Sequence, residues 1–123
     1  MAEELVKLAN PMVTKVTTSA TATATKKAIS TTAGDMRVMR INNAANPSVA
    51  YVKLWDTALG SVTVGTTAPD VIWGQPGSTD TTYIFISGQV FTTAITSAVV
   101  TTPGTSGTSS MASAVDVTFG RVS

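Results

Sequence analysis

The sequence predicts an all-β protein. We expect a single antiparallel β-sandwich or jelly-roll-like domain of about eight strands over residues 12–123, preceded by a short N-terminal arm, residues 1–11. In several segments apolar and polar side chains alternate with a period of two, which is typical of half-buried strands. Turn-forming residues separate these segments at short intervals, and no convincing helical period is present.

The N-terminal part is predicted to contain the arm and two strands. Residues 3–8 have room for one helical turn before Pro11 stops it, so the arm is either a frayed terminus or a segment that docks on a partner. Residues 12–16 are predicted as a first strand. Residues 17–28 are predicted as a long strand because threonine and alanine alternate strictly there. A disordered, mucin-like stalk is the alternative that this alternation disfavours.

The centre of the prediction is the strand over residues 48–56, which follows a strand at residues 36–42 and an Asn-Pro loop. Its two faces differ in character. They carry Ala50, Val52 and Leu54 on one side, and Tyr51, Lys53 and Trp55 on the other. A loop and an extended return, residues 62–69, are expected to follow.

The C-terminal half is predicted to supply the remaining strands. They are a short strand at residues 71–73, a strong one at 81–87, a long one at 90–101 with a bend near Ala94-Ile95, and a last one at 114–122. Gly88-Gln89 is predicted as a turn or a bulge. Residues 102–110 have the composition of a flexible polar loop.

Few residues of this chain can do bond-making chemistry. It contains no histidine and no cysteine, which excludes the usual nucleophilic triads and the usual zinc and copper ligands. The carboxylates that a glycosidase or a calcium site needs are expected to be ordinary turn or polar-face residues: Asp35, Asp56, Asp70, Asp80 and Asp116. We therefore expect no enzyme activity, no catalytic residue, no cofactor and no metal.

The charge pattern limits the classes of partner. A net charge of +1 is too small for the concentrated basic patch of a nucleic-acid binder. The N-terminus is acidic and no apolar run approaches a membrane span, so neither a secretion signal nor a membrane partner is expected. Only 12% of the residues are charged, which indicates a surface partly covered by other subunits.

The residues that favour a role in such contacts are few. Trp55 is the preferred one, because tryptophan is enriched at interface hot spots and this chain is poor in aromatic residues. A small apolar patch in the arm and a strand of small residues are further candidates. The complete set of predicted partner-contact residues is Leu5, Val6, Leu8, Ala22, Tyr51, Trp55 and Trp73.

The central strand and the segment after it resemble a family of small tailed-phage virion proteins. In that family a strand of the type AYVKLYD leads into a loop of the type PTVGTDTP, and here the similar residues are 50–56 and 62–69. Further similar stretches are residues 40–45, 91–100 and 115–120. The resemblance extends from about Val16 to the C-terminus.

This resemblance implies a viral structural protein that is carried in a bacteriophage virion assembled in the host cytoplasm. The expected role is a capsid decoration (cement) protein that binds the major capsid protein or other virion proteins and forms a homo-oligomer, with a trimer as the best guess. The alternative is a tail, baseplate or fibre-associated subunit that binds a receptor or glycan, for which Trp55, Trp73 and Tyr83 are the aromatic candidates.

Overall fold

The computed structural model describes residues 13, 15–19 and 22–122. The predicted arm, with Leu5, Val6 and Leu8, lies outside the described residues. Within the described part, eight strands and one short 3-10 helix follow one another along the chain. They are β1 Lys15–Ser19, β2 Lys27–Ser30, β3 Gly34–Asn42, β4 Ala50–Trp55, the 3-10 helix Leu59–Ser61, β5 Val71–Gln75, β6 Asp80–Phe91, β7 Ile95–Val100 and β8 Asp116–Val122.

The strands form two antiparallel sheets of four, so the predicted all-β sandwich is confirmed. Sheet A has the order β1-β8-β3-β6, and sheet B has the order β2-β7-β4-β5. The inner faces pack on each other through a core of aliphatic, methionine and phenylalanine side chains, which includes Met39, Ile41, Val52, Val99 and Phe119. Because successive side chains of a strand point to opposite sides and the two sheets pack on each other, each sheet presents one inner and one outer face.

Three aromatic side chains close one side of the sandwich. Trp73 of β5 lies edge-on to Tyr83 of β6, with ring centroids 4.8 Å apart, and to Phe85, at 5.6 Å. These are the last strands of their sheets, so this cluster covers the core where the two sheets would otherwise part.

The predicted long strand over residues 17–28 is wrong. β1 starts at Lys15 and ends at Ser19, and residues 22–26 are not a strand; β2 begins only at Lys27. The chain crosses here from sheet A to sheet B, and single backbone bonds hold it: Ala22 N donates to Val115 O at 2.7 Å, and Val99 N donates to Thr23 O at 2.8 Å. Alternating small residues fit such a crossover as well as a strand, so their period did not distinguish the two.

Two other segments differ from the prediction. Residues 62–69 form a loop with a turn at residues 64–66 rather than an extended return, and Val62 and Val64 pack against Trp55. The predicted strand at 90–101 is two strands, since the chain turns at residues 92–94 between β6 and β7. The carboxylate of Asp56 fixes that turn.

The expected irregularity at Gly88-Gln89 is a bulge inside β6. Val38 of β3 pairs with Ile84, and Met36 pairs with Gln89. Residues 85–88 of β6 therefore stand opposite the single residue Arg37 of β3. Gly88 has a φ of 78°, and a Cβ at this position would clash with the Asp35 carboxylate. Only glycine fits both the backbone conformation and this close contact.

Candidate interaction surface

The outer face of sheet B is covered by the chain's own loops. Trp55 belongs to this face, as predicted, but its side chain is only 1% exposed and packs with Val62 and Ala98 in a second small core. Its Nε1 donates a hydrogen bond to the carbonyl oxygen of Thr67 at 3.0 Å. Trp55 is therefore not exposed for the predicted partner contact, because the loop between β4 and β5 already covers its side chain.

Lys53, on the same face, holds a second loop in place. Its side chain is fully buried, and Nζ donates to the carbonyl oxygens of Gly104 at 2.6 Å and Gly107 at 3.1 Å. Burial lowers the pKa of this ammonium. Lys26 acts in the same way on the other loop, since its Nζ donates to the carbonyl oxygens of Leu59 and Val62. Two lysines thus fasten two loops over sheet B.

The remaining described contact candidates do not share a surface. Ala22 packs against the core from the crossover, and Trp73 points inward at the edge of sheet B. Tyr51 is half-buried on the outer face of sheet B, where its Cε1 lies 3.3 Å from the position that a Cβ at Gly74 would take. Alternation along a strand identified its two faces, but it carried no information about which loops cover them.

The outer face of sheet A carries an exposed apolar row. Val38 of β3 stands opposite both Gly120 of β8 and Ile84 of β6, and Val16 of β1 stands opposite Gly120. Directly opposed residues share a face, so the three apolar side chains line up across the four strands. Val16 is 68% exposed and Ile84 is 56% exposed.

Two more apolar side chains extend this row. The methyl carbons of Val13 lie 3.3 Å from the position that a Cβ at Gly120 would take, so Val13 lies over the middle of the sheet. Ile86, at the β6 bulge, is 82% exposed. The sequence placed Ile84 and Ile86 opposite Tyr83 and Phe85, but with apolar residues on both sides it did not indicate which pair points outward.

The same face becomes polar towards its other end. Thr18 and Thr118 are in hydrogen-bond contact at 3.3 Å, and Arg40 forms an ion pair with Asp80. The hydrogen bond with Arg40 lowers the pKa of the Asp80 carboxyl, and the same bond raises the pKa of Arg40. This end is solvated, so the ion pair adds little stability but keeps the polar and apolar ends distinct.

The turn aspartates act as hydrogen-bond acceptors within the fold. Asp56 accepts bonds from Thr92 N at 2.9 Å, Thr92 Oγ1 at 3.0 Å, Thr93 N at 2.8 Å and Ala94 N at 3.3 Å. Asp70 Oδ2 accepts from the backbone N–H of Asp56 at 2.7 Å. Among the described residues, no group of three or more acidic side chains is placed to hold a metal ion.

We predict that the bonds to Asp56 make the stability of the protein depend on pH. The backbone N–H of Thr92 is the main cause of the lowered pKa of Asp56. Asp56→Asn should lower the free energy of unfolding by about 1 to 2 kcal/mol at neutral pH, the usual effect of weakening hydrogen bonds to a partly solvated charge. A depressed pKa contributes stability above the unfolded value, and this contribution is lost as pH falls through the folded value.

Urea denaturation of both proteins at neutral pH and near pH 2–3 checks this prediction. The difference in free energy of unfolding between the wild type and Asp56→Asn should be smaller at pH 2–3 than at neutral pH. Asp70→Asn is the matched control, because the Asp70 carboxylate accepts a single hydrogen bond, from the backbone N–H of Asp56. This substitution should lower the free energy of unfolding by less than Asp56→Asn does. Equal losses at both pH values would contradict a role for the charge.

Comparison of the chain with protein-family models, with curated proteins and with solved structures found no match. Within the described ranges, no helix has the length and apolar character needed to cross a bilayer.

Proposed function

We propose that the protein is a non-enzymatic structural component of a bacteriophage virion, a capsid decoration (cement) protein that binds and stabilises the shell. The observation that supports this proposal is the contrast between the two outer faces. Loops pinned by Lys26 and Lys53 close sheet B, whereas sheet A exposes Val16, Ile84 and Ile86. The resemblance of the sequence to small phage virion proteins supplies the biological setting.

An exposed apolar row is unfavourable in water and is typical of a contact surface. The row lies in a chain with few surface charges to oppose association, and β6 leaves one edge of sheet A unpaired within the described residues. We propose that a second copy of the chain covers the row in a closed homo-oligomer, a trimer. This surface replaces the predicted contact through Ala22.

The proposed partner of the oligomer is the major capsid protein, with the arm at residues 1–11 as the segment that reaches it. A glycan-binding role in the tail would need exposed aromatic rings. Trp55 is buried, and Trp73 and Tyr83 pack on the core. No observation on the described residues therefore favours that alternative.

We predict that Ile84→Glu dissociates the oligomer. The substitution places a charge in the row at its β6 end, and burying it unpaired would weaken association at least about a hundredfold. Light scattering coupled to size exclusion, at tens of micromolar protein, should give a trimer mass for the wild type and a monomer mass for the variant.

Ile72→Glu is the matched control for this experiment. Ile72 is also an exposed isoleucine, but it lies on an edge strand of sheet B, and its variant should keep the oligomer mass. A monomeric wild type, or equal behaviour of the two variants, would contradict an interface at the apolar row.

The copy number of the chain in purified virions tests the function itself. A decoration protein should be present in hundreds of copies, which gel densitometry against the major capsid protein can measure. A dozen copies or fewer would place the protein in the tail, and absence from the particle would overturn the virion role.

A further inference from the structure

An apolar hollow of about 310 Å³ lies at one end of the outer face of sheet A. Met36 of β3 faces the core, so its neighbour Asp35 lies on the outer face, where Val90 of β6 and Val122 of β8 pair with it on either side. The hollow is therefore a depression across three strands, next to the apolar row but separate from it. The residues that line it are Ala33, Gly34, Asp35, Val90, Phe91 and Val122.

The hollow presents mainly apolar surface, although a carboxylate belongs to its lining. Asp35 Oδ2 accepts a hydrogen bond from Arg37 Nε at 2.8 Å and lies 2.7 Å from Arg37 Nη2, and its Oδ1 is buried beside Gly88. The charge of Asp35 is thus paired within the fold. Val90 is 62% exposed, which is unfavourable in water. A cavity of ~150 Å³ holds one benzene molecule, so the hollow has room for a large aliphatic side chain.

The arm is joined to the sandwich beside this hollow. Val13 lies on the outer face of sheet A over Gly120 of β8. Val122 is two positions further along the same strand, and Asp35, at the centre of the hollow, is on the adjacent strand. With strands ~4.8 Å apart and ~3.4 Å per residue along a strand, the centre of the hollow is about 8 Å from Val13. Residues 1–12 are therefore attached to the fold at a point from which the hollow is within reach.

The reach of the chain decides which arm residue fits the hollow. An extended chain advances at most ~3.6 Å per residue, so residues 11 and 12 are too few steps from Val13 to place a Cα over the centre. Residues 9 and 10 are alanine and asparagine, which are too small or too polar to fill an apolar hollow. Leu8 is the first large aliphatic residue with enough chain between it and Val13.

We propose that the Leu8 side chain of the same chain occupies this hollow and anchors the arm at the end of sheet A. The driving force is the removal of apolar surface from water on both the leucine and the hollow. In this arrangement Leu8 contacts its own sandwich, whereas Leu5 and Val6 stay available for the predicted partner contacts. The proposal concerns the isolated protein and does not depend on its role in a virion.

The test is a measurement of nuclear Overhauser effects between methyl groups in the full chain, with ¹³C-labelled leucine and valine methyls. Contacts from the Leu8 methyls to the methyls of Val90 and Val122 are expected. Leu5, the other leucine of the arm, should show no such contacts. Absence of contacts from Leu8, or equal contacts from the two leucines, would overturn the proposal.

Two pairs of variants make the result specific. Leu8→Ser should shift the methyl signals of Val90 and Val122, whereas Leu5→Ser should leave them at their wild-type positions. On the side of the hollow, Val90→Ser should abolish the contacts between Leu8 and Val122. Val49→Ser is its matched control, because it alters an exposed valine beside β5 of sheet B, and it should retain them. Equal effects within either pair would contradict the assignment of Leu8 to the hollow.

A mixed sample distinguishes the chain's own arm from the arm of a second copy. Protein with labelled leucine methyls is combined with protein that has labelled valine methyls, and the subunits are allowed to exchange. Contacts between a labelled leucine and a labelled valine then arise only between copies. Their absence supports anchoring within one chain. Their presence at Val90 and Val122 would assign the hollow to the arm of a second copy and overturn the proposal.

Discussion

Replacing Trp55 with alanine is expected to lower the free energy of unfolding by about 3 to 5 kcal/mol, the range for deleting a large buried aromatic side chain. The ring is 1% exposed and fills the space between sheet B and the loop that includes Val62. The substitution would also remove the donor to Thr67 O. The loop would lose both its packing surface and its anchor, so the damage should reach beyond the cavity itself.

Urea denaturation followed by circular dichroism checks this expectation. Trp55→Phe is the control, because it keeps most of the apolar volume and loses only the hydrogen bond. It should lower the free energy of unfolding by about 1 to 2 kcal/mol. A loss below about 1 kcal/mol for Trp55→Ala would mean that the loop does not cover the ring in solution.

The strands that the sequence predicted well are those whose alternation reflects the core directly. Residues 36–42, 48–56 and 114–122 correspond to β3, β4 and β8, which lie inside their sheets and pair on both sides. A central strand must bury one face, so its period of two is under strong physical constraint. The alternation in residues 17–28 consists of alanine and threonine, which are tolerated in or out of a core, and there the prediction failed.

The exposure of each outer face could not be predicted, because it depends on contacts between residues far apart in the chain. Lys53 donates hydrogen bonds to Gly104, 51 positions further along the chain, and to Gly107, 54 positions further along. The apolar row on sheet A depends on the register of β1, β8, β3 and β6, which come from both ends of the chain. The alternation that defines the two faces of a strand can be read from neighbouring residues. The loop that covers a face comes from a distant part of the chain and cannot be read in this way.

The loop at residues 42–47 shows the same limit. Its Asn-Pro composition predicted a turn, and a turn is present, but the sequence did not indicate that Asn43 and Asn46 are buried. Asn43 bonds to Gln75, 32 positions away, and Asn46 bonds to Ser113, 67 positions away. These two amides join three separate loops at one end of the sandwich.

The second substitution with a large expected effect is Asn43→Asp. It should lower the free energy of unfolding by about 3 kcal/mol or more at neutral pH, because it places a carboxylate acceptor where three carbonyl acceptors already converge. The Nδ2 of Asn43 donates to the carbonyl oxygens of Ser48 at 2.9 Å and of Gln75 and Pro76 at 3.2 Å each. Its side chain is fully buried. A carboxylate of the same shape would face these oxygens without water to separate the charges.

Denaturation at neutral pH and near pH 4 tests this explanation. Burial beside carbonyl oxygens would raise the pKa of the introduced carboxyl above its unfolded value, so the variant should regain stability relative to the wild type as pH falls. Asn42→Asp is the matched control. Asn42 is partly exposed and its Oδ1 accepts from Ala44 N at 3.1 Å, an acceptor role that aspartate keeps. If the two variants lost equal stability at neutral pH, the buried amide of Asn43 would not be what joins these loops.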